Sequence, residues 1–463
     1  MQFKNKLLFA LAFVGSLAMA SCTSTPAVEE PDEIVEGTTI SFYGWGSAEE
    51  QANFRELVDY YNENNEHKIH VTYSASDSST FMTNLQNYGN NLPDVFYMPD
   101  YNFMQWAESG KLMQLDGNFE GAITKTDYEK IWPYGVSMYR YDTNSNTLGE
   151  GALYGLPKDL GPYTLVYNVD MMNEVIKNSN GTVALPSGSE PMTFDEMSDY
   201  LSRCQAVLDK LYTDKTYALS SYEIMPAVYS NGTDFYKDNG RNSNVTDPRF
   251  TEAIQWIADL NLKYGVMPSA NEQTGTNGYV RFTSGRCLFT FMGPWDLKAF
   301  WEGTDFDFDI IPVAKGNHDD CVSTAWVGSV AYCISNFSKH KSEALDFVKF
   351  LALSEESSRM NYELGQAMPN IVEMAQTDFV NNVGLTGRQL NPANKQLFVD
   401  ITLGTETIQG KGRAAYFCPS DVPYNSLLDQ LTAVWNGQET AEEHFASYDE
   451  TFQHDLDMAY EYY

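Results

Sequence analysis

From Thr39 to Trp106 the chain alternates strand and helix patterns, and that order limits the kind of sheet it can build. TISFYGW (39–45) reads as a strand running into a Gly-rich turn, where Ser47 opens a helix and Glu50 completes a capping box. Phe54, Leu57, Val58 and Tyr61 give that helix a single apolar face. KIHVTY (68–73) alternates as a second strand, and DVFYM (94–98) is an apolar third strand leading into a helix through Trp106. Strand, helix, strand, helix at this spacing predicts a largely parallel α/β sheet, because parallel neighbours need crossover connections.

The pattern continues with new material. LYGLPKDLGPYTLVYN (153–168) is extended and punctuated by Pro and Gly, as a crossing segment would be. Thr193 and Glu196 box another helix, with Met197, Tyr200, Leu201, Cys204 and Leu208 as its buried stripe. Asp247 and Pro248 give a cap followed by Pro at the first helical position, and that helix should end near Gly265. CLFTFMGPW (287–295) and WVGSVAYCIS (326–335) read as strands. Lys341 to Leu353 is an amphipathic helix with Leu345, Val348 and Leu351 inward, and the chain from Ala441 onward is helical. No repeat of fixed period is present.

The first 22 residues, MQFKNKLLFALAFVGSLAMASC, run from Lys4 and Lys6 through an apolar stretch too short to span a bilayer to small residues before Cys22. That order predicts an export signal over residues 1–21. A Cys in this place is similar to the bacterial lipobox, whose Cys is acylated, with Met19 where Leu is usual. Residues 22–37, acidic and Pro-containing, are expected to be a flexible tether. The expected location is the extracytoplasmic side of the cell membrane, held by lipid on Cys22. No later segment is apolar for long enough to span a membrane.

Acidic residues outnumber basic ones, 63 to 29, and are spread along the chain. Such a surface repels phosphates, so nucleic acid and anionic membrane surfaces are excluded as partners. After Cys22 come Cys204, Cys287, Cys321, Cys333 and Cys418, an odd number with no CxxC. This argues against a disulfide framework and against zinc, and leaves a Cys321–Cys333 bridge open.

The chain carries no GxSxG, HExxH, Walker A loop or GxGxxG between strand and helix. Asp142, Asn144 and Asn146 resemble the start of a calcium loop, but Thr147 and Leu153 stand where Gly and Glu are required, which predicts a plain turn. Aromatic residues instead gather at strand ends: Trp45, Tyr101 beside Asp100, Tyr163 and Tyr167, Trp295 and Trp326. Open α/β sheets bind ligands at the carboxyl ends of strands. Flat rings interleaved with Asp, Asn and Lys suit sugars, which present C–H faces and hydroxyls.

Five stretches, in order, are similar to the extracellular solute-binding proteins of family 1, the sugar-binding receptors of ABC importers that include maltose-binding protein. They are LPDVFYMPDYNFMQWAESGKLMQLD, ALYGLPKDLGPYTLVYNVDMM, MTFDEM, VRFTSGRCLFTFMGPWDL and WVGSVAYCISNFSKHKSEALDFVKFL. The resemblance covers nearly all of residues 38–450. It implies an α/β fold of the two-lobed periplasmic-binding-protein type (type II, Venus-flytrap), with the ligand clamped in an interlobe cleft.

Crossings are then expected near Lys158, Phe291 and Ser329. One lobe would comprise residues 38–158 and 291–328, the other residues 159–290 and 329–463. Cleft residues carried over by position are Trp45, Asp100, Tyr101, Asp159, Tyr163, Trp295 and Trp326, together with Ser230 and Asn231 of the Ser-Asn-Gly loop. Gly161 stands where maltose-binding members carry a ligand-contacting Glu, so maltose specificity is not implied. The expected function is capture of a carbohydrate, an oligosaccharide, by a monomer that delivers it to ABC permease subunits, without catalysis, metal or cofactor. The alternatives are a polyamine or a phosphorylated polyol on the same fold, or a secreted carbohydrate-active enzyme.

Overall fold

The computed structural model describes residues 31–461. The export signal and Cys22 lie outside the described residues. Two sheets carry the architecture. In chain order their strands are β1 (Thr39–Trp45), β2 (His70–Ser76), β3 (Val95–Pro99), β4 (Leu156–Pro157), β5 (Gly161–Asn168), β6 (Tyr217–Leu219), β7 (Cys287–Met292), β8 (Phe308–Ile311), β9 (Ser323–Gly328), β10 (Val330–Ile334) and β11 (Ile408–Gly412). The helices used below are α1 (Ala48–Asn64), α2 (Ser78–Asn87), α3 (Asp100–Glu108), α4 (Phe194–Leu211), α5 (Ile224–Ser230), α6 (Pro248–Leu262), α7 (Leu297–Gly303), α8 (Lys341–Leu353), α9 (Gln396–Leu403), α10 (Val422–Gln430) and α11 (Ala441–Glu461).

The first sheet has the order β2-β1-β3-β10-β4. β1 runs parallel to β2 and β3, as the alternation of strand and helix predicts, while β10 returns antiparallel to β3. Ser47 caps α1 reciprocally with Glu50, and Phe54, Leu57, Val58 and Tyr61 are buried along one face. Leu345, Val348 and Leu351 of α8 are likewise buried.

The second sheet has the order β11-β9-β5-β7-β6, with β8 also paired to β5. β5 is its centre. One edge pairs antiparallel with β7; the other is shared by β8 along residues 165–168 and β9 along residues 161–163. α4 starts in the expected box of Thr193 and Glu196, and α6 begins at Pro248 with Asp247 as cap.

The strand pairing departs from the expected partition. Lys158 and Ser329 do stand between the sheets, joining β4 to β5 and β9 to β10. Phe291 does not: it lies inside β7, paired with Leu165. β8 and β9, from the stretch 291–328, belong to the second sheet, and β10 belongs to the first. A fully buried strand such as CLFTFM carries no alternation to say which sheet it joins; its antiparallel pairing with β5 decides that.

Three smaller expectations are resolved. All five cysteines among the described residues are free and buried, so Cys321 and Cys333 do not pair. Asp142 to Asn146 form a hairpin turn in which the Asp142 carboxylate accepts the Asn144 amide and Asn146 takes a positive φ. The end of the expected tether is docked: the Glu343 carboxylate on α8 accepts the Val35 amide at 2.8 Å and the Thr38 hydroxyl at 3.3 Å, and the Gly37 amide donates to the His67 carbonyl at 3.0 Å.

Candidate functional site

A cavity of about 450 Å³ opens between the two sheets. Trp45 at the end of β1, Glu50 and Phe54 of α1, and Tyr97 of β3 line it from the side of the first sheet; Trp295 and Arg413 line it from the side of the second. The crossings supply its floor through Lys158, Asp159 and Ser329. The position follows from topology, because β1 and β3 deliver their carboxyl ends where the chain passes between sheets.

The second-lobe wall is a stack of rings. Trp295 lies 5.7 Å from Tyr163 with planes 10° apart and 5.8 Å from Trp326 at 26°. Two glycines make room for it. A Cβ on Gly161 would stand 2.5 Å from Trp295 Cζ3, and one on Gly293 would stand 2.4 Å from the same indole. The glycine at 161 is therefore the seat of Trp295, which explains why a bulkier contact residue is absent from that position. Across the cavity Trp45 meets Tyr97 edge-on at 5.1 Å and Phe81 at 4.7 Å, which fixes its plane.

The two cations at the site are paired. Lys158 Nζ lies 2.6 Å from Asp159 Oδ2, both side chains being almost fully buried. Arg413 follows β11 and places its guanidinium 4.5 Å above the Trp326 ring and 5.6 Å from that of Tyr101. Its Nε is 3.8 Å from Asp100 Oδ2. Burial raises the Asp100 carboxyl above the usual carboxylate range, against the lowering effect of Arg413 and of the Ser329 and Tyr101 amides. Tyr97 Oη, Trp326 Nε1 and Arg413 Nε are buried with no hydrogen-bond partner, leaving polar capacity in the walls.

A second cavity of about 420 Å³ lies in the second lobe, lined by Glu223, Asn261, Asn277, Tyr424 and Trp435 among others. Burial pushes the Glu223 carboxyl up to about 7, with Arg413 opposing. Asp296, next to Trp295, is also pushed up to about 7 by burial, against the Gly293 amide it accepts at 2.9 Å. Raised carboxyl groups bind protons more readily folded than unfolded, so their contribution to stability falls as pH rises from about 4 to 7 and is unfavourable above that. Asp296→Asn keeps an acceptor for Gly293 and removes the charge. The variant should therefore gain thermal stability relative to the parent at pH 8 and not at pH 5; an equal shift at both values would refute this assignment.

The expected site residues divide into three groups. Trp45, Asp159 and Trp295 line the main cavity, and Tyr163 and Trp326 stack behind Trp295. Asp100 and Tyr101 stand behind Arg413: Asp100 is 2% exposed, with its oxygens accepting the Tyr101 amide at 2.8 Å and the Ser329 amide at 3.3 Å. Ser230 and Asn231 line neither cavity. Ser230 Oγ accepts the Thr324 amide at 2.8 Å, and Asn231 Nδ2 donates to the Arg249 carbonyl at 2.7 Å, which ties α5 to β9 and α6.

Arg413, Glu50 and Glu223 were not anticipated. Glu50 reads as a capping residue and is one, but its other oxygen accepts Gln366 Nε2 at 3.3 Å at the cavity edge. The one hint of Arg413 is a Lys-Gly-Arg triplet in a chain poor in basic residues. Among the described residues no group of three or more His, Cys, Asp or Glu is placed to hold a metal ion.

The sequence profile of the bacterial extracellular solute-binding proteins matches residues 56–386, most of the chain. The chain belongs to that family. Its members are binding proteins that work outside the cytoplasmic membrane. No helix among the described residues is long and apolar enough to cross a membrane.

A galactooligosaccharide-binding protein of Bacillus subtilis (strain 168) is 22% identical over 391 residues, which are 80% of this chain and 82% of that one. The fold matches an ABC substrate-binding protein of Listeria monocytogenes, solved with cycloalternan, at a TM-score of 0.72 and 17% identity, covering 91% of this chain and all of the other. It also matches the GacH receptor of Streptomyces glaucescens, solved unliganded and with acarbose, at a TM-score of 0.70 and 18% identity, covering 92% of this chain and 99% of that one. The two-lobed fold of this solute-binding protein is thus that of known ABC substrate-binding receptors.

Proposed function

We propose that the protein captures a carbohydrate, an oligosaccharide, in the cleft between its lobes and delivers it to an ABC permease. The observation that carries this reading is the stack of Tyr163, Trp295 and Trp326 facing Trp45 across a cavity whose two cations are already paired. A pyranose places its C–H face on such rings and its hydroxyls on groups such as Tyr97, Asp159 and Lys158. With Lys158 held by Asp159 and Arg413 beside Asp100, neither cation of the cavity stands unpaired for a phosphate. The ligands named for the relatives, galactooligosaccharide, cycloalternan and acarbose, support the same class.

In this reading Trp45, Tyr97, Asp159, Lys158 and Trp295 contact the sugar, and the second cavity by Tyr424 and Glu223 accommodates further units of a longer chain. Each sheet is the centre of one lobe, and ligand bridging the lobes favours the closed form. The chain works as a monomer, tethered by lipid on Cys22.

Isothermal titration against galactooligosaccharides, maltotriose and acarbose, with intrinsic Trp fluorescence in parallel, tests the ligand class. Binding with a fluorescence change is the expected result. Silence across that panel together with a response to spermidine or glycerol phosphate would overturn the reading. The mass of the mature N-terminal peptide tests the anchor, which requires an acylated Cys22.

A further inference from the structure

Arg413 joins three parts of the molecule: β11 of the second sheet, the ring stack, and the start of α3 beside the Ser329 crossing. It follows β11 in the second sheet, and Gly412 just before it is held from both sides: the Tyr134 hydroxyl accepts the Gly412 amide at 2.9 Å, and the Tyr229 hydroxyl donates to its carbonyl at 3.0 Å. The guanidinium then packs against Gly328, where a Cβ would stand 2.4 Å from it, and its Cζ stands 4.5 Å from the centre of the Trp326 ring. On its far side is Asp100, at the start of α3 in the first lobe.

Asp100 is bound to the crossing itself. Its amide donates to the Ser329 carbonyl at 3.3 Å, and its Oδ2 accepts the Ser329 amide at 3.3 Å. Ser329 Oγ in turn donates to the Asp159 carbonyl at 2.6 Å, on the neighbouring crossing. The 3.8 Å separation from Arg413 Nε, which has no hydrogen-bond partner, exceeds a hydrogen bond by under an ångström. Close to a hinge, a movement of that size is magnified at the rim of the cleft.

We infer that Asp100 and Arg413 form a hinge latch, in which Arg413 is a positioning residue that couples the aromatic wall to the Ser329 crossing and thereby sets how far the cleft closes. The contact chain Trp295, Trp326, Arg413, Asp100, Ser329 is continuous, so pressure of a ligand on the wall and closure at the hinge act on one ion pair. The inference goes beyond the assignment of a ligand class, since the latch acts in the unliganded chain as well.

Small-angle scattering of the unliganded full chain provides the test, with Arg413→Met, Asp100→Asn and the double variant compared with the parent. Each single variant should increase the radius of gyration, with the balance of open and closed forms moved about tenfold toward open, a usual size for such couplings. The double variant should add nothing to the larger single effect, and Arg413→Lys, which keeps the charge, should lie between. A merely structural role for Arg413 would lower the melting temperature and leave the scattering of the folded protein unchanged. Single variants that scatter like the parent would overturn the latch; if Arg413→Met does not fold, Asp100→Asn and Arg413→Lys give the same decision. Maltotriose titration of the same samples is read separately, and its failure would bear on the ligand class alone.

Discussion

Trp295→Ala should weaken carbohydrate binding about 100-fold while leaving the protein folded. Trp295 is the one member of the second-lobe stack that lines the cavity, and Tyr163 and Trp326 hold its plane from behind. Truncating a buried aromatic at the centre of a binding surface typically costs about 2–4 kcal/mol, and 2.7 kcal/mol is about 100-fold in affinity. The loss is specific to the ligand because the ring is only partly buried in the unliganded fold, so the melting temperature should move little. Titration calorimetry against a binding oligosaccharide checks it; an affinity within threefold of the parent would move the binding surface elsewhere. Gly161→Ala should act on the same ring indirectly, because the new methyl needs the space that Trp295 Cζ3 occupies.

The largest expected loss of stability is at Lys395, just before α9. Its side chain is completely buried, and Nζ donates to Asn382 Oδ1 at 2.7 Å and to the carbonyls of Gln389, Leu390 and Pro392 at 3.0, 3.0 and 3.1 Å. One ammonium thus organises the irregular chain between residues 382 and 395. Lys395→Met fits a similar volume but strands four acceptors, and breaking a buried charge network of this kind costs about 3–5 kcal/mol. Thermal denaturation should register a clear drop in melting temperature, and urea denaturation a lower midpoint. A variant as stable as the parent would mean that water reaches these carbonyls.

Local patterns made part of this molecule legible. β1, α1 and β2 follow from residue periodicity and a capping box, all within a few residues of one another. Trp45 and Trp295 were accessible because strand ends and Gly-Pro turns mark the ligand edge of an open sheet, and Asp159 was accessible only through the family resemblance. Arg413 was not, since its role depends on β11 pairing with β9 and bringing a distant segment beside Asp100. Asp100 illustrates the converse: its position was anticipated, but its amide and carboxylate partners turn it toward the crossing rather than the cavity. Ser230 and Asn231 failed as site residues because small polar residues read alike whether they face a ligand or brace a helix against a strand. β8 and β9 were expected with the first sheet and β10 with the second for a related reason, as buried apolar strands look the same from either sheet.

The docked stretch before β1 constrains how far an anchored copy can stand from the bilayer. The Asp32 carbonyl accepts the Ser342 hydroxyl and the Glu343 carboxylate accepts the Val35 amide, so the chain is fixed to α8 from Asp32 onward. The mouth of the cleft is at the far end of β1, beside Trp45, about 20 Å from the strand's first residue at the usual rise per residue. Fully extended, the chain between Cys22 and Pro31 reaches about 30 Å. If Cys22 is acylated as proposed, that reach is the upper limit on the distance between the bilayer and α8, so shortening the stretch by a few residues should hinder hand-over to a membrane partner before it affects capture from solution.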